Sequence, residues 1–170
     1  MLPEIVLRNI NQLPINKLDP LYTELINDAV KNGISRAIME SDKYLLQEER
    51  KRALKNMGID EEKNDVFLEF YLNGAEYPKA YRIETLVSLE EILDDYKNPF
   101  WGDEYPGIEQ RYLRISSIEG EGSLFYDKKT DAVYDVDWNE MDDLIAGTLE
   151  PKFNSFYDFL EWYYGDEDEE

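Results

Sequence analysis

Apolar side chains recur at helical spacing through the first part of the chain and alternate with polar ones nearer its end. Leu21, Leu25, Ile26, Ala29 and Val30 share one helical face. Asp19 precedes that face as a cap, Pro20 suits the first helical position, and Gly33 follows as a stop. A second helix is expected over residues 35–57, rich in good helix formers and ended by Gly58. A third is expected over residues 61–72, with Asp60 as cap, Gly74 as stop, and Val66, Phe67, Phe70 and Tyr71 as its apolar stripe. Residues 1–17 carry Ile5, Val6, Leu7, Ile10, Leu13 and Ile15 around Pro14, and read as an arm or a short strand.

The period then changes. Residues 81–86 read as a strand. Ser88-Leu89-Glu90-Glu91 matches a capping box and opens a short helix to about residue 95. Residues 97–110 hold two Pro, two Gly and three aromatics, which predicts a long structured loop. Three strands follow, over 112–117, 123–127 and 132–138, with turns at Gly120–Gly122 and at 128–130. In the third strand Ala132, Tyr134, Val136 and Trp138 face one side, and Asp131, Val133, Asp135 and Asp137 the other. A last helix over 155–164 presents Phe156, Phe159, Leu160 and Tyr163, and Trp162-Tyr163-Tyr164 reads mostly as core. The expected fold is therefore α+β: N-terminal helices, a central mainly antiparallel sheet with flanking helices, and a closing C-terminal helix. One domain is expected over residues 1–165, helical up to about residue 60, with 166–170 as a disordered acidic tail.

Charge changes this picture most. The 170 residues carry a formal net charge of −21. In residues 1–60, nine Lys or Arg balance nine Asp or Glu, so the whole imbalance falls in residues 61–170. Such a surface repels phosphates, which argues against direct nucleic-acid binding, and it attracts a basic partner. Equally, the acidity can serve solubility alone. No segment reads as a signal peptide or a membrane span, so a cytoplasmic protein with no membrane partner is expected.

Composition also narrows the chemistry. The chain has no Cys and no His. Catalytic arrangements built on Cys or His, disulfides, thiolate metal sites and iron–sulfur clusters are excluded. An Asp-rich strand end, Asp127-Lys128-Lys129-Thr130-Asp131, is not an EF-hand loop, and carboxylates along one strand face do not converge on a cation. Asp135 and Asp137 are an abstract candidate for paired-carboxylate hydrolysis, which needs one raised pKa in a cleft. Acidic pairs are expected in so acidic a chain. Glycines that would cradle a phosphate are missing. No cofactor, no metal and no enzymatic activity are expected.

Two segments suit recognition better. Phe100-Trp101-Gly102-Asp103-Glu104-Tyr105-Pro106 sets aromatics beside carboxylates, as in binding hot spots. Phe100 reads as a core plug, and Trp101 as either plug or anchor. The stretch Asp135–Asp143 places five carboxylates around Trp138 and Met141, either a solvated sheet edge and loop or a patch for Lys and Arg.

Several short motifs carry a family resemblance. Phe67-Leu68-Glu69-Phe70-Tyr71-Leu72-Asn73-Gly74 is followed by Tyr81-Arg82-Ile83 and Leu89-Glu90-Glu91-Ile92. Then come Tyr112-Leu113-Arg114-Ile115-Ser116, Gly120 and Gly122 leading into Ser123-Leu124-Phe125-Tyr126-Asp127, Ala132-Val133-Tyr134, and Phe153, Phe156, Phe159 and Leu160. Over about residues 64–164 this pattern resembles the SUKH superfamily. It departs at the front, where Asn64-Asp65 stand in place of a proline-led segment and residues 1–60 are longer and more helical. The resemblance implies an α+β domain without catalytic residues. Its bacterial members include immunity proteins that neutralise toxins, often nucleases, and its eukaryotic members regulate cell-wall synthesis as scaffolds. The expectation is an immunity protein that binds a cognate toxin, a basic nuclease domain, through Trp101, Asp103, Glu104, Tyr105, Asp135, Asp137, Asp142 and Asp143. It is expected to be monomeric before complex formation. A scaffold without a toxin partner is the alternative.

Overall fold

In the computed structural model the described residues are 1–7, 49–72, 85–99, 101–117 and 121–165, and their architecture is α+β. The expected helix over 19–33, the Asn73-Gly74 step, residues 81–84, Phe100, Gly120 and the tail 166–170 lie outside them. So does the first part of the helix expected over 35–57. Its described part, α1 over residues 49–56, is helical, and Gly58 follows with φ +87, a conformation that side chains with a Cβ rarely adopt. Residues 4–7 form a helical turn and not a strand. The N–H groups of Val6 and Leu7 donate to the Pro3 carbonyl, and the four-residue spacing of Leu2 and Val6 turns both into the core.

α2 (Asp65–Leu72) begins four residues later than the Asp60 cap suggests, with its apolar stripe as expected. Asp60 caps the preceding turn: its carboxylate accepts from the N–H groups of Glu62 and Lys63, each at 2.8 Å. α3 (Leu89–Lys97) starts where the capping signal places it, with the Ser88 hydroxyl accepting from Glu91 N–H. α5 (Phe156–Tyr163) is capped in the same way by Ser155, which accepts from Asp158 N–H. One further helix, α4 (Met141–Ala146), stands where the sequence reads as sheet edge and loop. Asp137 and Glu140 form a capping box around a 3-10 turn over Trp138–Glu140, and Met141 and Leu144 then bury on one face.

Three strands, β1 (Tyr112–Arg114), β2 (Gly122–Asp127) and β3 (Val133–Asp137), form an antiparallel sheet in the order β1-β2-β3. Tyr112 pairs with Asp127, and Phe125 with Tyr134. β1 is shorter than the expected 112–117 because a side chain takes over the ladder. Ser116 Oγ accepts from Leu124 N–H at 2.8 Å and lies 2.9 Å from Ser123 Oγ. Beyond it, Leu86 bridges to Ser116 and Ser117 N–H donates to Thr85 O at 2.7 Å, the described part of the strand expected over 81–86. On the far side of β3, Val133 bridges to Phe153. Continuing that antiparallel register would set Pro151 opposite Asp135. Proline has no N–H to give, so pairing stops there.

Alternation along the strands sorts two cores onto the two faces. Leu113, Ile115, Leu124, Tyr126 and Val133 pack with α2, α3, α5 and the end of α1. Tyr112, Phe125, Ala132, Tyr134 and Val136 pack with Ile108, Met141 and Leu144. The main core is aromatic: Phe67, Phe70, Tyr71, Phe156, Phe159 and Tyr163 are fully buried. Tyr163 and Tyr164 are core, as expected, while Trp162 is half-buried against it.

Gly122 opens β2 at a point of close approach. A Cβ there would lie 2.5 Å from the Val136 carbonyl oxygen. Because that atom is backbone, the strands themselves must move. Gly122→Ala is expected to cost about 1–3 kcal/mol, read as a lower urea midpoint with an unchanged slope. An unchanged midpoint would show that the β2–β3 pair has slack at this end.

Candidate functional site

The second face of the sheet builds an acidic surface from two segments distant in sequence. Residues 101–107 fold by local turns: Gly102 N–H donates to Pro99 O at 3.0 Å, and Tyr105 N–H to Trp101 O at 2.8 Å. This coil lays Trp101 against Trp138, with ring centres 4.6 Å apart, and against Phe125 at 5.9 Å. Trp101 is half-buried. It packs on the sheet as a plug does, while keeping part of its surface in solvent.

Tyr105 joins the two segments. Its hydroxyl donates to Asp142 Oδ1 at 2.5 Å, and that bond to a carboxylate raises the phenol's pKa. α4 is fixed from beneath by buried Met141 and Leu144, and Tyr112 Oη donates to Leu144 O at 3.2 Å. Asp142 and Asp143 are thereby held outward in the first turn of α4 and are exposed. Asp143 also accepts from the Thr148 hydroxyl. Asp103 and Glu104, next to Tyr105 in sequence, are exposed too. The segment 101–110 carries Asp103, Glu104 and Glu109, and the segment 138–151 carries Glu140, Asp142, Asp143 and Glu150. Neither contains a Lys or Arg.

The other two candidates part from this group. Asp135 is exposed on the opposite side of the sheet, the side of Val133, with its carboxylate 3.7 Å from Lys152 Nζ. Asp137 is half-buried and spends its carboxylate on the cap of the 138–140 turn, accepting from Asn139 N–H. Parity along β3 separates both from Trp138. The structure thus brings together Trp101, Tyr105 and Asp142, with Asp103, Glu104 and Asp143 beside them, and sets Asp135 and Asp137 apart.

The strand-end acids have structural partners. Asp127 is fully buried and accepts from Arg111 Nε at 3.1 Å and Nη2 at 2.9 Å, and from Lys129 N–H and Thr130 Oγ1 at 2.9 Å each. The same carboxylate raises the Arg111 pKa. Asp131, at φ +68, accepts from Tyr126 Oη at 2.6 Å and from Phe156 N–H. Burial pushes its carboxyl up, against the pull of those two donors. Asn64, fully buried, donates to Tyr126 Oη at 2.7 Å and to Lys128 O at 2.9 Å. Sequence reading missed this network. Its one visible signal is the polar Asn64 two residues before an apolar stripe.

Among the described residues no three Asp or Glu side chains gather as a metal site, and no helix is long and apolar enough to cross a membrane. Compared with known proteins, the chain matches no family model, and no curated protein and no solved structure is similar to it.

Proposed function

We propose that this chain is a non-enzymatic binding protein, an immunity protein that acts in the cytoplasm by neutralising a basic toxin domain. The observation that carries this reading is the acidic face in which Tyr105 clasps the 101–110 segment to α4, both in stretches without a Lys or Arg. Acidic groups on packed helix and turn are held outward, with no Lys or Arg in either segment. They offer complementary charge to Lys and Arg that would otherwise hold phosphate, and the half-buried Trp101 adds apolar area in the same segment. The SUKH resemblance supports the same reading. A nuclease is the partner class that this charge suits best.

Co-expression with the product of a neighbouring toxin gene tests the proposal. Expected are stoichiometric capture, weakening between low and high salt, and rescue of growth. Reversing Asp103, Glu104, Asp142 and Asp143 together to Lys should weaken capture by roughly 100-fold, mostly at low salt. Reversing Asp135 on the opposite side should change it little. Failure of both capture and rescue would overturn the reading and leave a scaffold, with the acidity serving solubility.

A further inference from the structure

The β2–β3 turn contains a lysine that the acidic face does not use. Lys128 is 7% exposed. Its Nζ donates to Met57 O, just past α1, and to Glu109 O in the 3-10 turn over Ile108–Gln110, each at 2.7 Å. It stands 5.3 Å from the ring centre of Tyr96 on α3. None of these contacts is a carboxylate. Backbone bonds hold the residue on both sides: Lys128 N–H donates to Arg111 O, and Lys128 O accepts from Asn64. Its neighbours Lys129 and Thr130 are exposed. The side chain can thus leave its seat for water without unpairing β2 from β3.

A buried cation without a counter-ion is costly, and neutralisation is the usual relief. Burial pushes this ammonium down to about 8, against the Glu109 carboxylate, which favours the charged form. The elements packed against Lys128 also carry Glu49, Arg50, Lys51, Arg52 and Lys55 on α1, Asp60 after it, Glu90, Glu91, Asp94, Asp95, Tyr96 and Lys97 on α3, Arg111 after the 108–110 turn, and Asp127 and Lys129 in the β2–β3 turn. Asp95 is paired with Arg114, and Asp127 with Arg111. The chain has no His and no Cys, the side chains that ordinarily titrate between pH 6 and 9.

We propose that Lys128 is a proton-operated latch: seated between α1, α3 and the 108–110 turn, it holds the 101–111 segment on the sheet, and proton uptake favours its release. An unseated lysine binds its proton with ordinary affinity, and the seated one binds it more weakly. Unseating therefore takes up a proton. The seated state gains stability as pH rises from about 8 towards the ordinary lysine range near 10.5, and loses it as pH falls back through 8. The latch would set how firmly Trp101 and Tyr105 are presented, and it stands whether or not their face binds a toxin.

Amide hydrogen exchange and a carbon-13 titration of the lysine Cε signals test it on the whole chain. After correction for intrinsic exchange, protection of the Arg111 and Lys128 amides should rise about tenfold from pH 7 to pH 9. In Lys128→Met that rise should vanish, and the Met1 amino group, common to both proteins, cancels in the comparison. The Lys128 Cε signal should titrate near pH 8, apart from the other lysines. Flat protection in the wild type, the same rise in Lys128→Met, or a Cε midpoint among the other lysines would each overturn the latch. If Lys128→Met does not fold, the two wild-type measurements decide.

Discussion

Asp127→Ala is expected to lower unfolding free energy by about 3–5 kcal/mol, a large share of what holds a domain of this size together. The carboxylate is fully buried and serves four donors from three residues. Truncation leaves the Lys129 N–H and the Thr130 hydroxyl unmet beside a guanidinium that has lost its bidentate partner. The Arg111 side chain is 39% exposed and can turn to water, so the loss should fall towards the lower end of that range. Asp127→Asn keeps the shape and part of the accepting capacity, and should cost less. Urea unfolding near pH 7 gives both numbers. A loss below about 1 kcal/mol for the alanine variant would mean that the turn re-solvates freely and that the pair contributes little.

Phe67→Ala should cost a similar amount, about 3–5 kcal/mol, by a different route. Phe67 is fully buried, stacked on Tyr126 with ring centres 4.2 Å apart, and it meets Tyr71 at 4.7 Å and Phe156 at 5.0 Å. Its removal opens a cavity walled by rings from α2, β2 and α5. Those rings are themselves interlocked, so little collapse can refill the space. Phe67→Leu retains most of the volume and should lose roughly half as much. Thermal unfolding of the two variants separates lost volume from lost ring geometry. Equal losses would show that the stacked geometry, more than the volume, is what matters here.

Period and caps made much of the fold readable. Ser88 and Ser155 announce α3 and α5, Gly58 ends α1, and the alternation in β3 assigns Val133 and Val136 to opposite faces. α4 was legible in principle, since Asp137-x-x-Glu140 before Met141 and Leu144 is a capping box leading an apolar pair. The density of acids around it favoured reading a solvated patch. The candidate site was legible as two acidic aromatic segments, but their union was not. The Tyr105–Asp142 bond spans 37 positions, and no local period reports such a contact. Parity along β3 did foretell that Asp135 and Trp138 point apart. Lys128 was hidden for a general reason: a lysine in a turn beside Lys129 and Thr130 is ordinarily solvated, and only the packing of α1 and the 108–110 turn over it removes the water.

The outer side of β3 bears on how the chain behaves at high concentration. Exposed strand edges are where folded proteins add further strands and grow into fibres. Here Val133 is already paired with Phe153, and Pro151 cannot extend that ladder. Of the outward peptide positions that remain, Asp137 gives its N–H to Glu140 Oε1, and Asp135 carries an ion pair with Lys152. A docking strand would find a single pair of backbone groups, a charge on either side, and then a ring with nothing to donate. Polymerisation through this edge is thereby frustrated at its first step.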